Sequence, residues 1–245
     1  SARLVCVSIM DAPFYAEFST RSNFSFLEGA SHPEELAVTA MRLGHGALGL
    51  ADRNTVAGVV RAHMAAKEAK LAYHPGTRLV FSDGTPDITA YPRNRAAWGR
   101  LCRLLTTGNL RGEKGAADVR LEDLLEWGEG LNLAVMAGTG APPDETSSVR
   151  LEPVQALRAA FSKAVRLAAA PGFSFSDRHW LEMAAADARA CGVSLMAVND
   201  VTCHAPSRRP LADVLTSIRL HEPVARAGFA LAPNAEGHLK SPAEM

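Results

Sequence analysis

The sequence predicts an α/β domain in which strands and helices alternate along the chain. Three observations support this fold class: aliphatic runs alternate with helical patterns, hydrophobic residues make up 47% of the 245 positions, and no repeat or linker divides the chain. A globular chain of this length buries roughly 70–75% of the surface that its unfolded form exposes. We therefore expect a large hydrophobic core that needs neither disulfides nor a structural metal.

The N-terminal third carries strand and helix signals in alternation. Residues 14–19 alternate apolar and polar side chains at period two, which is typical of a half-buried strand. Ser31 and Glu34 form a capping-box pair at the start of a helix, and Gly44 ends that helix. The predicted elements are a strand at 14–19, a helix from Ser31 to Gly44, a strand at 47–51 and a helix from Asn54 or Thr55 to about Ala69.

The remaining chain continues this alternation. Residues 82–86 (SDGTP) are a turn signal between two apolar runs, which predicts a hairpin. Trp98, Leu101 and Leu105 share one stripe of a helix, and Gly192 ends another helix. The predicted elements are strands at 78–81, 87–91, 131–136, 164–168 and 194–198, and helices at 95–107, 152–162, 177–190 and 213–220.

Both ends of the chain predict a fragment of a longer protein. The chain opens Ser1-Ala2-Arg3 without a methionine. Near its end, Ser241 and Glu244 form a capping-box pair around Pro242, which announces a helix with room for only one turn.

The charge balance excludes one class of function. The chain has 26 Lys plus Arg against 26 Asp plus Glu and a pI near 7.1, which argues against a free-standing nucleic-acid binder. Locally, residues 91–120 contain seven basic and two acidic side chains. We favour a solvated helix face for this segment, with contact to a nucleic-acid backbone as the alternative. The residues that would make that contact are Arg93, Arg100 and Arg103.

Localisation and redox state follow from simple patterns. The apolar run at residues 4–10 is far shorter than the ~20 residues that a membrane span needs, and no signal-peptide pattern follows it. We expect a cytoplasmic protein with no membrane contact. The cysteines form no C-x-x-C pair, so we expect reduced thiols. They are Cys6, Cys102, Cys191 and Cys203.

Polar residues follow three of the predicted strands. They are 19–21 after the first strand, 52–53 after the second and 200–202 after the last. Active sites of alternating strand–helix domains lie at the carboxyl ends of the strands. Arginines and hydroxyls dominate here, and one acid at each place is too few for a zinc or manganese site.

Four separated segments resemble a known family. Residues 15–36 (YAEFSTRSNFSFLEGASHPEEL) and 49–63 (GLADRNTVAGVVRAH) resemble the N-terminal PHP (polymerase and histidinol phosphatase) domain of C-family bacterial DNA polymerases. Residues 198–219 (VNDVTCHAPSRRPLADVLTSIR) and 238–245 (HLKSPAEM) resemble its error-prone, damage-tolerant branch. The resemblance implies a distorted (β/α)7 PHP barrel. It also implies three regions, namely an N-terminal extension at 1–13, the PHP domain at 14–235 and the start of a connection to the polymerase core at 236–245.

Active members of the family hold metal ions for phosphoester hydrolysis, and the resemblance maps their ligand motifs onto this chain. The acids of the L-[DE]-G, T-D-H and D-x-H motifs are kept as Glu28, Asp52 and Asp200. The middle histidine ligands have no match near residues 167–171. The other ligand positions are replaced, and the residues that stand there are Ser19, Arg21, Arg53, Arg78 and Thr202.

Arginines in ligand positions predict a site without metal. Guanidinium groups are always cationic, so they would pair with the remaining carboxylates and supply neither a Lewis acid nor an activated water. We therefore expect an inactive, metal-free scaffold within an error-prone polymerase. The resemblance places that polymerase's active site, with its divalent magnesium, outside this chain. It implies as partners the palm and thumb of the same chain, DNA through the full protein, and other translesion-synthesis proteins.

Several alternatives stay open at this stage. The first is an active phosphoesterase or 3′–5′ proofreading exonuclease that uses Glu28, Asp52 and Asp200, and the second is a partner-binding module that uses Arg208 and Arg209. Asp52 could equally cap the turn into the second helix. Cys203 and His204 beside Asp200 are expected to lie in an ordinary loop.

Overall fold

The computed structural model describes residues 14–138, 147–173 and 176–245, and its centre is one seven-stranded sheet in which every strand pairs with its neighbours in sequence. The strands are β1 (Ala16–Thr20), β2 (Ala47–Arg53), β3 (Ala72–Leu79), β4 (Ile88–Pro92), β5 (Leu131–Met136), β6 (Val165–Ala169) and β7 (Ser194–Ala197). β4 runs antiparallel to both neighbours, and all other neighbouring pairs are parallel. The predicted α/β barrel is thereby confirmed as a seven-stranded half-barrel.

Helices lie between most of the strands and after the last one. They are α1 (Pro33–Arg42), α2 (Val59–Glu68), α3 (Arg95–Arg111), α4 (Leu121–Trp127), α5 (Leu151–Phe161), α6 (Asp177–Ala190), α7 (Arg209–Leu220) and α8 (Val224–Ala227). Alternate residues of β5 enter two different clusters. Leu133 and Val135 pack with helix residues in the main core, whereas Ala134 and Met136 pack with Val198 in a small inner cluster. Apolar side chains therefore cover both faces of the curved sheet.

The sheet closes on itself at one end. Val201, just beyond β7, forms a parallel bridge with Thr20 of β1. The bridge consists of Arg21 N–H to the Val201 carbonyl and Val201 N–H to the Ser19 carbonyl, both 2.8 Å between donor and acceptor. The carboxyl ends of the first and last strands therefore meet, and the residues that follow them share one rim.

The turn signal at residues 82–86 correctly predicts a hairpin, but the strand before it begins earlier than expected. The predicted strand at 78–81 is wrong, since β3 spans Ala72–Leu79. The first residues of β3 carry no strand pattern of their own. They form a strand because they pair with β2, in parallel register from Ala47↔Ala72 to Arg53↔Arg78. Only residues 77–79 pair with β4.

Three helix starts differ from the predictions. The capping box of α1 is shifted by one residue, because the His32 N–H donates to the Glu35 carboxylate over 2.8 Å while Ser31 contacts His204. α2 begins at Val59 after Gly58, and neither Asn54 nor Thr55 caps it. α7 begins at residue 209 instead of 213, with a proline in its first turn. Residues 121–127 form α4, which the sequence patterns missed.

The structure bears on the predictions for the C-terminal turn, the cysteines and membrane-spanning segments. The capping-box pair near the C-terminus forms, since the Ser241 N–H donates to the Glu244 carboxylate over 2.8 Å around a single turn. Cys102, Cys191 and Cys203 are free thiols. Within the described ranges no helix has the length and apolarity needed to cross a bilayer. Cys6, the extension at 1–13 and most of the predicted loop at 138–143 lie outside those ranges.

Candidate functional site

Charged side chains and one serine from four parts of the chain lie together at the closed end of the barrel. We call this set the rim network, and it comprises Ser19, Arg21, Glu28, Arg53, Arg78, Asp87 and Asp200. The strand ends place these residues together because the parallel strands point the same way and β1 meets the chain after β7. Six of the eight predicted site residues belong to the network; Asp52 and Thr202 do not.

Asp200 accepts hydrogen bonds from three sides of the rim. Ser19 Oγ donates to Oδ1 over 3.0 Å, Arg21 Nη2 to Oδ2 over 3.1 Å, and Arg78 Nη1 to Oδ1 over 2.5 Å. Asp200 has a φ of 49°, a left-handed conformation that Asp tolerates better than most residues. Burial acts to raise its pKa, but the charges of Arg21 and Arg78 outweigh burial and hold that pKa below its usual value. Asp200 is therefore an ionised acceptor at neutral pH.

Arg78 is the buried cation of the network. Its side chain is only 4% exposed, and it bridges Asp200 to Asp87, whose Oδ2 lies 2.8 Å from Arg78 Nε. Burial acts to lower the pKa of Arg78, yet the two carboxylates raise it overall. The sequence patterns missed Asp87, because its closeness to Arg78 depends on the register of the β3–β4 hairpin, in which Arg78 pairs with Thr89. The turn signal at 82–86, combined with a correct strand register, could have found it.

Glu28 lies between the two remaining arginines. Arg21 Nη1 is 3.2 Å from Glu28 Oε2, and Arg53 Nη1 contacts the other carboxylate oxygen. Burial acts to raise the pKa of Glu28, but both guanidinium groups lower it and the net shift is downward. Arg53 is the most open member of these pairs, with 45% of its side chain exposed. The rim network thus balances three guanidinium groups against three carboxylates.

Asp52 is buried away from these ion pairs. It accepts hydrogen bonds from the Ser22 N–H over 2.7 Å and from the hydroxyls of Ser22 and Ser25, both over 2.8 Å. Burial raises the pKa of Asp52 despite these bonds. The alternative that Asp52 caps the second helix is therefore wrong, because its oxygens hold the loop after β1. Thr202 donates to the Gly237 carbonyl over 3.2 Å and takes no part in the ion pairs.

Glu17 is a buried carboxylate that the sequence patterns did not single out. It is 0% exposed and accepts the N–H groups of Ser19 and Asn199 over 2.7 and 2.9 Å and the hydroxyl of Tyr15 over 2.6 Å. Burial raises its pKa. Glu17 holds the seam between β1 and the residues after β7, and no local signal reveals a role that depends on two distant strands.

The donor set at the rim does not fit a divalent metal ion. Such an ion needs several His, Asp, Glu or Cys donors with free lone pairs. Both kept rim carboxylates, Glu28 and Asp200, already bind guanidinium groups, and a metal would meet the charges of Arg21, Arg53 and Arg78. Across the described ranges, no three His, Cys, Asp or Glu side chains are arranged to hold a metal.

The loop beside Asp200 is anchored by Ser31. His204 Nδ1 lies 2.8 Å from Ser31 Oγ, and Cys203 Sγ contacts backbone carbonyls. Arg208 contacts Glu35, and Arg209 Nε donates to Asp213 over 2.7 Å. These contacts agree with an ordinary loop, and both arginines of the second alternative already have carboxylate partners.

Arg93, which precedes α3, and Arg100 and Arg103 of α3 lie beside the turn that leads from α4 into β5. Arg100 Nε donates to the Glu129 carbonyl over 2.7 Å, and Arg93 Nε to the Gly130 carbonyl over 3.3 Å. The Arg103 guanidinium lies 5.9 Å from the centre of the Trp127 ring, within cation–π range. The three candidate nucleic-acid contacts therefore share one surface.

An α/β barrel with polar groups gathered at the carboxyl ends of its strands is the architecture of the (β/α)-barrel class. Comparison with known proteins identifies the family within this class, because a family model of the PHP domain matches residues 17–170. The chain belongs to the PHP domain family, as the sequence resemblance predicts. A solved structure, a putative metal-dependent phosphoesterase from Bifidobacterium adolescentis, shares the fold with a TM-score of 0.55 at 15% identity, over 78% of this chain and 88% of that one.

Curated relatives narrow the family further. An error-prone DNA polymerase of Mesorhizobium japonicum is 56% identical over 233 residues, which are 94% of this chain and 20% of that protein. Error-prone DNA polymerase 1 of Rhizobium meliloti is 53% identical over 231 residues, again 94% and 20%. Both relatives carry the error-prone name, in agreement with the predicted resemblance to that branch. The chain spans about one fifth of the length of these relatives.

Proposed function

We propose that this chain is a metal-free, non-hydrolytic PHP domain that supports the polymerase part of a longer error-prone DNA polymerase. The single observation behind this proposal is that Arg21, Arg53 and Arg78 neutralise the rim carboxylates in a family whose active members bind metals there. Arginine charge replaces metal charge, so the rim keeps its balance but has no Lewis acid or activated water.

The full-length protein would copy damaged DNA in the cytoplasm, with divalent magnesium held by residues outside this chain. Its relatives' name supports this part of the proposal. We propose the barrel as residues 14–235 and the connection to the polymerase core as 236–245. Leu239 of that connection is 3% exposed and packs into a core cluster with α1, α2 and β2, which would fix the start of the connection against the barrel.

DNA would reach this domain only as part of the full protein. The surface formed by Arg93, Arg100 and Arg103 is the proposed place of contact, because its cations lie together on a chain whose net charge is zero. The palm and thumb of the same chain, and other translesion-synthesis proteins, are the proposed partners.

The test uses the full-length protein in two assays. We expect it to extend a primed template with Mg²⁺, and to leave a labelled single strand uncut when nucleotides are withheld and Mn²⁺ or Zn²⁺ is supplied. Asp200→Asn and Glu28→Gln report on the rim, and Glu126→Gln on exposed α4 is the matched control. Strand shortening that disappears in both rim variants and persists in the control would establish the phosphoesterase or exonuclease alternative. Failure of primer extension would contradict the polymerase assignment.

A further inference from the structure

Helix α7 exposes its apolar residues to solvent. Leu211, Val214, Leu215 and Ile218 occupy positions i, i+3, i+4 and i+7, which form one stripe along a helix. Three of them are well exposed, with 39% of Leu211, 44% of Val214 and 52% of Ile218 accessible. Ser217 is the one buried residue of the twelve. An amphipathic helix on a globular protein normally buries its apolar stripe, so α7 has the opposite orientation.

The polar side of α7 is the side that holds it to the rest of the domain. Arg209 donates to Asp213 one turn further along, and it contacts the carbonyls of Ala232 and Asn234 in the segment that returns to the barrel. Because these polar contacts lie on the inner side, the helix cannot turn its apolar stripe inward without breaking them.

The exposed apolar surface continues beyond α7. Val224 of α8 is 42% exposed, and Phe229 in the following turn is fully exposed. α8 follows α7 after three residues and contacts it, so these exposed apolar residues lie on neighbouring elements. We call this surface the α7–α8 face, and it comprises Leu211, Val214, Ile218, Val224 and Phe229. Exposed apolar patches of this kind mark interaction sites.

We propose that the polymerase part of the same full-length chain docks on the α7–α8 face. This inference rests on the proposed function. The last strand of the sheet and its closing bridge at Val201 precede α7 and α8, so these helices add no strand to the sheet, and their main contacts are with each other and the adjoining turns. A twelve-residue helix with one buried residue is marginal in water unless another surface covers it.

The length of the relatives identifies the occupant. This chain is 20% of the curated relatives, so about four fifths of such a protein lies outside these residues. A tethered partner acts at a high effective concentration and needs no separate association step. By contrast, the exposed apolar residues of α2, Val60 and Met64, lie in a groove interspersed with charged side chains.

The test measures thiol reactivity in the full-length protein. Ile218→Cys and Phe229→Cys place reporters on the α7–α8 face, and Ala186→Cys on exposed α6 is the matched control. Alkylation of each introduced thiol is followed by mass spectrometry of its own peptide, which separates it from native cysteines. We expect the two reporters to react at least about tenfold more slowly than the control in native protein, and all three to react alike in urea.

Equal native rates would overturn the proposal, as would protection that disappears on dilution, because the latter identifies a second copy as the occupant. A charged variant gives an independent check. Ile218→Glu is expected to speed alkylation of the Phe229→Cys reporter, whereas Ala186→Glu leaves it unchanged. Primer extension on the same preparations separates the two ideas, since an active polymerase with freely reactive reporters refutes docking only. An inactive polymerase with protected reporters refutes only the proposed function.

Discussion

The substitution Asp200→Asn removes one negative charge from the rim network and nearly preserves the shape of the side chain. The Asp200 carboxylate accepts hydrogen bonds from the guanidinium groups of Arg21 and Arg78, with N···O distances of 3.1 and 2.5 Å. After the substitution, the buried guanidinium of Arg78 would keep Asp87, 2.8 Å from its Nε, and Arg21 would keep Glu28. The variant therefore measures how much the central carboxylate contributes to folding.

The magnitude follows from the number and burial of the lost ion pairs. A hydrogen bond to a charged group contributes roughly 1.5–3 kcal/mol, and breaking a buried pair by removing one partner costs roughly 3–5 kcal/mol. The Asp200→Asn variant loses two ion pairs, with Arg21 and with Arg78. Because 29% of the Asp200 side chain is exposed, the lower end of the range for breaking a buried pair applies. We expect the free energy of unfolding to fall by about 3 kcal/mol at neutral pH.

The pH dependence has a definite sign. The pKa of Asp200 is lower in the folded chain than in the unfolded chain, where an aspartate titrates near ~3.9. Its contribution is therefore fully present above the unfolded pKa and is lost as the pH falls through the folded pKa. The difference between wild type and Asp200→Asn is expected to be constant from neutral pH down to about pH 5 and to shrink below about pH 4.

Urea denaturation of the 245-residue chain, followed by circular dichroism at neutral pH and at about pH 3.5, measures both quantities. Glu126→Gln on the exposed side of α4 is the control, and it is expected to change the free energy of unfolding by less than about 0.5 kcal/mol. A loss at Asp200 as small as the control's, or a loss that is the same at both pH values, would refute the argument that ion pairing holds the rim.

Three further predictions concern packing, DNA and the positional match to metal ligands. Gly76→Ala places a methyl group 2.5 Å from Tyr91 ring carbons, so we expect the free energy of unfolding to fall by about 1–3 kcal/mol in urea; an unchanged midpoint would contradict the tight approach. In the full-length protein, joint alanine substitution of Arg93, Arg100 and Arg103 is expected to weaken duplex-DNA binding and lower the salt slope by roughly 0.9 per lost phosphate contact. Arg178→Ala, 92% exposed on α6, serves as its control, and an unaltered slope in the triple variant would remove this surface from the DNA path. A variant in which the family's metal ligands are restored at the five replaced positions is expected to bind manganese or zinc in calorimetry. A folded variant that binds neither ion would refute the positional match to the family's ligands. Those substitutions are Ser19→His, Arg21→His, Arg53→His, Arg78→Glu and Thr202→His.

The parts of the fold that local patterns encode could be predicted from the sequence. Residues 131–136 form β5 and residues 177–190 form α6, both at the predicted bounds, because each carries its full hydrophobic pattern locally. The first half of β3 could not be predicted. Tyr73, His74 and Pro75 lack strand periodicity, and they pair with β2 only after the two segments have met in the fold.

The residues of the candidate site could likewise be predicted only in part. The strand-end rule and the family resemblance both pointed to Arg21, Arg53 and Asp200, which the structure brings into one network. Glu17 and Asp87 escaped notice because their roles depend on distances between strands. Strand-end position and the family resemblance also placed Asp52 with the others, although the structure shows its carboxylate hydrogen-bonded to Ser22 and Ser25 in the loop after β1.

The metal content of the purified 245-residue chain distinguishes an arginine-neutralised rim from a metal centre. The chain would be dialysed against Mn²⁺ or Zn²⁺, freed of unbound ion and analysed by mass spectrometry, with hydrolysis of a generic phosphoester measured in parallel. The paired carboxylates Glu28 and Asp200 predict sub-stoichiometric metal, the same value in Asp200→Asn and no hydrolysis. Stoichiometric metal that is lost together with hydrolysis in Asp200→Asn would contradict the metal-free scaffold.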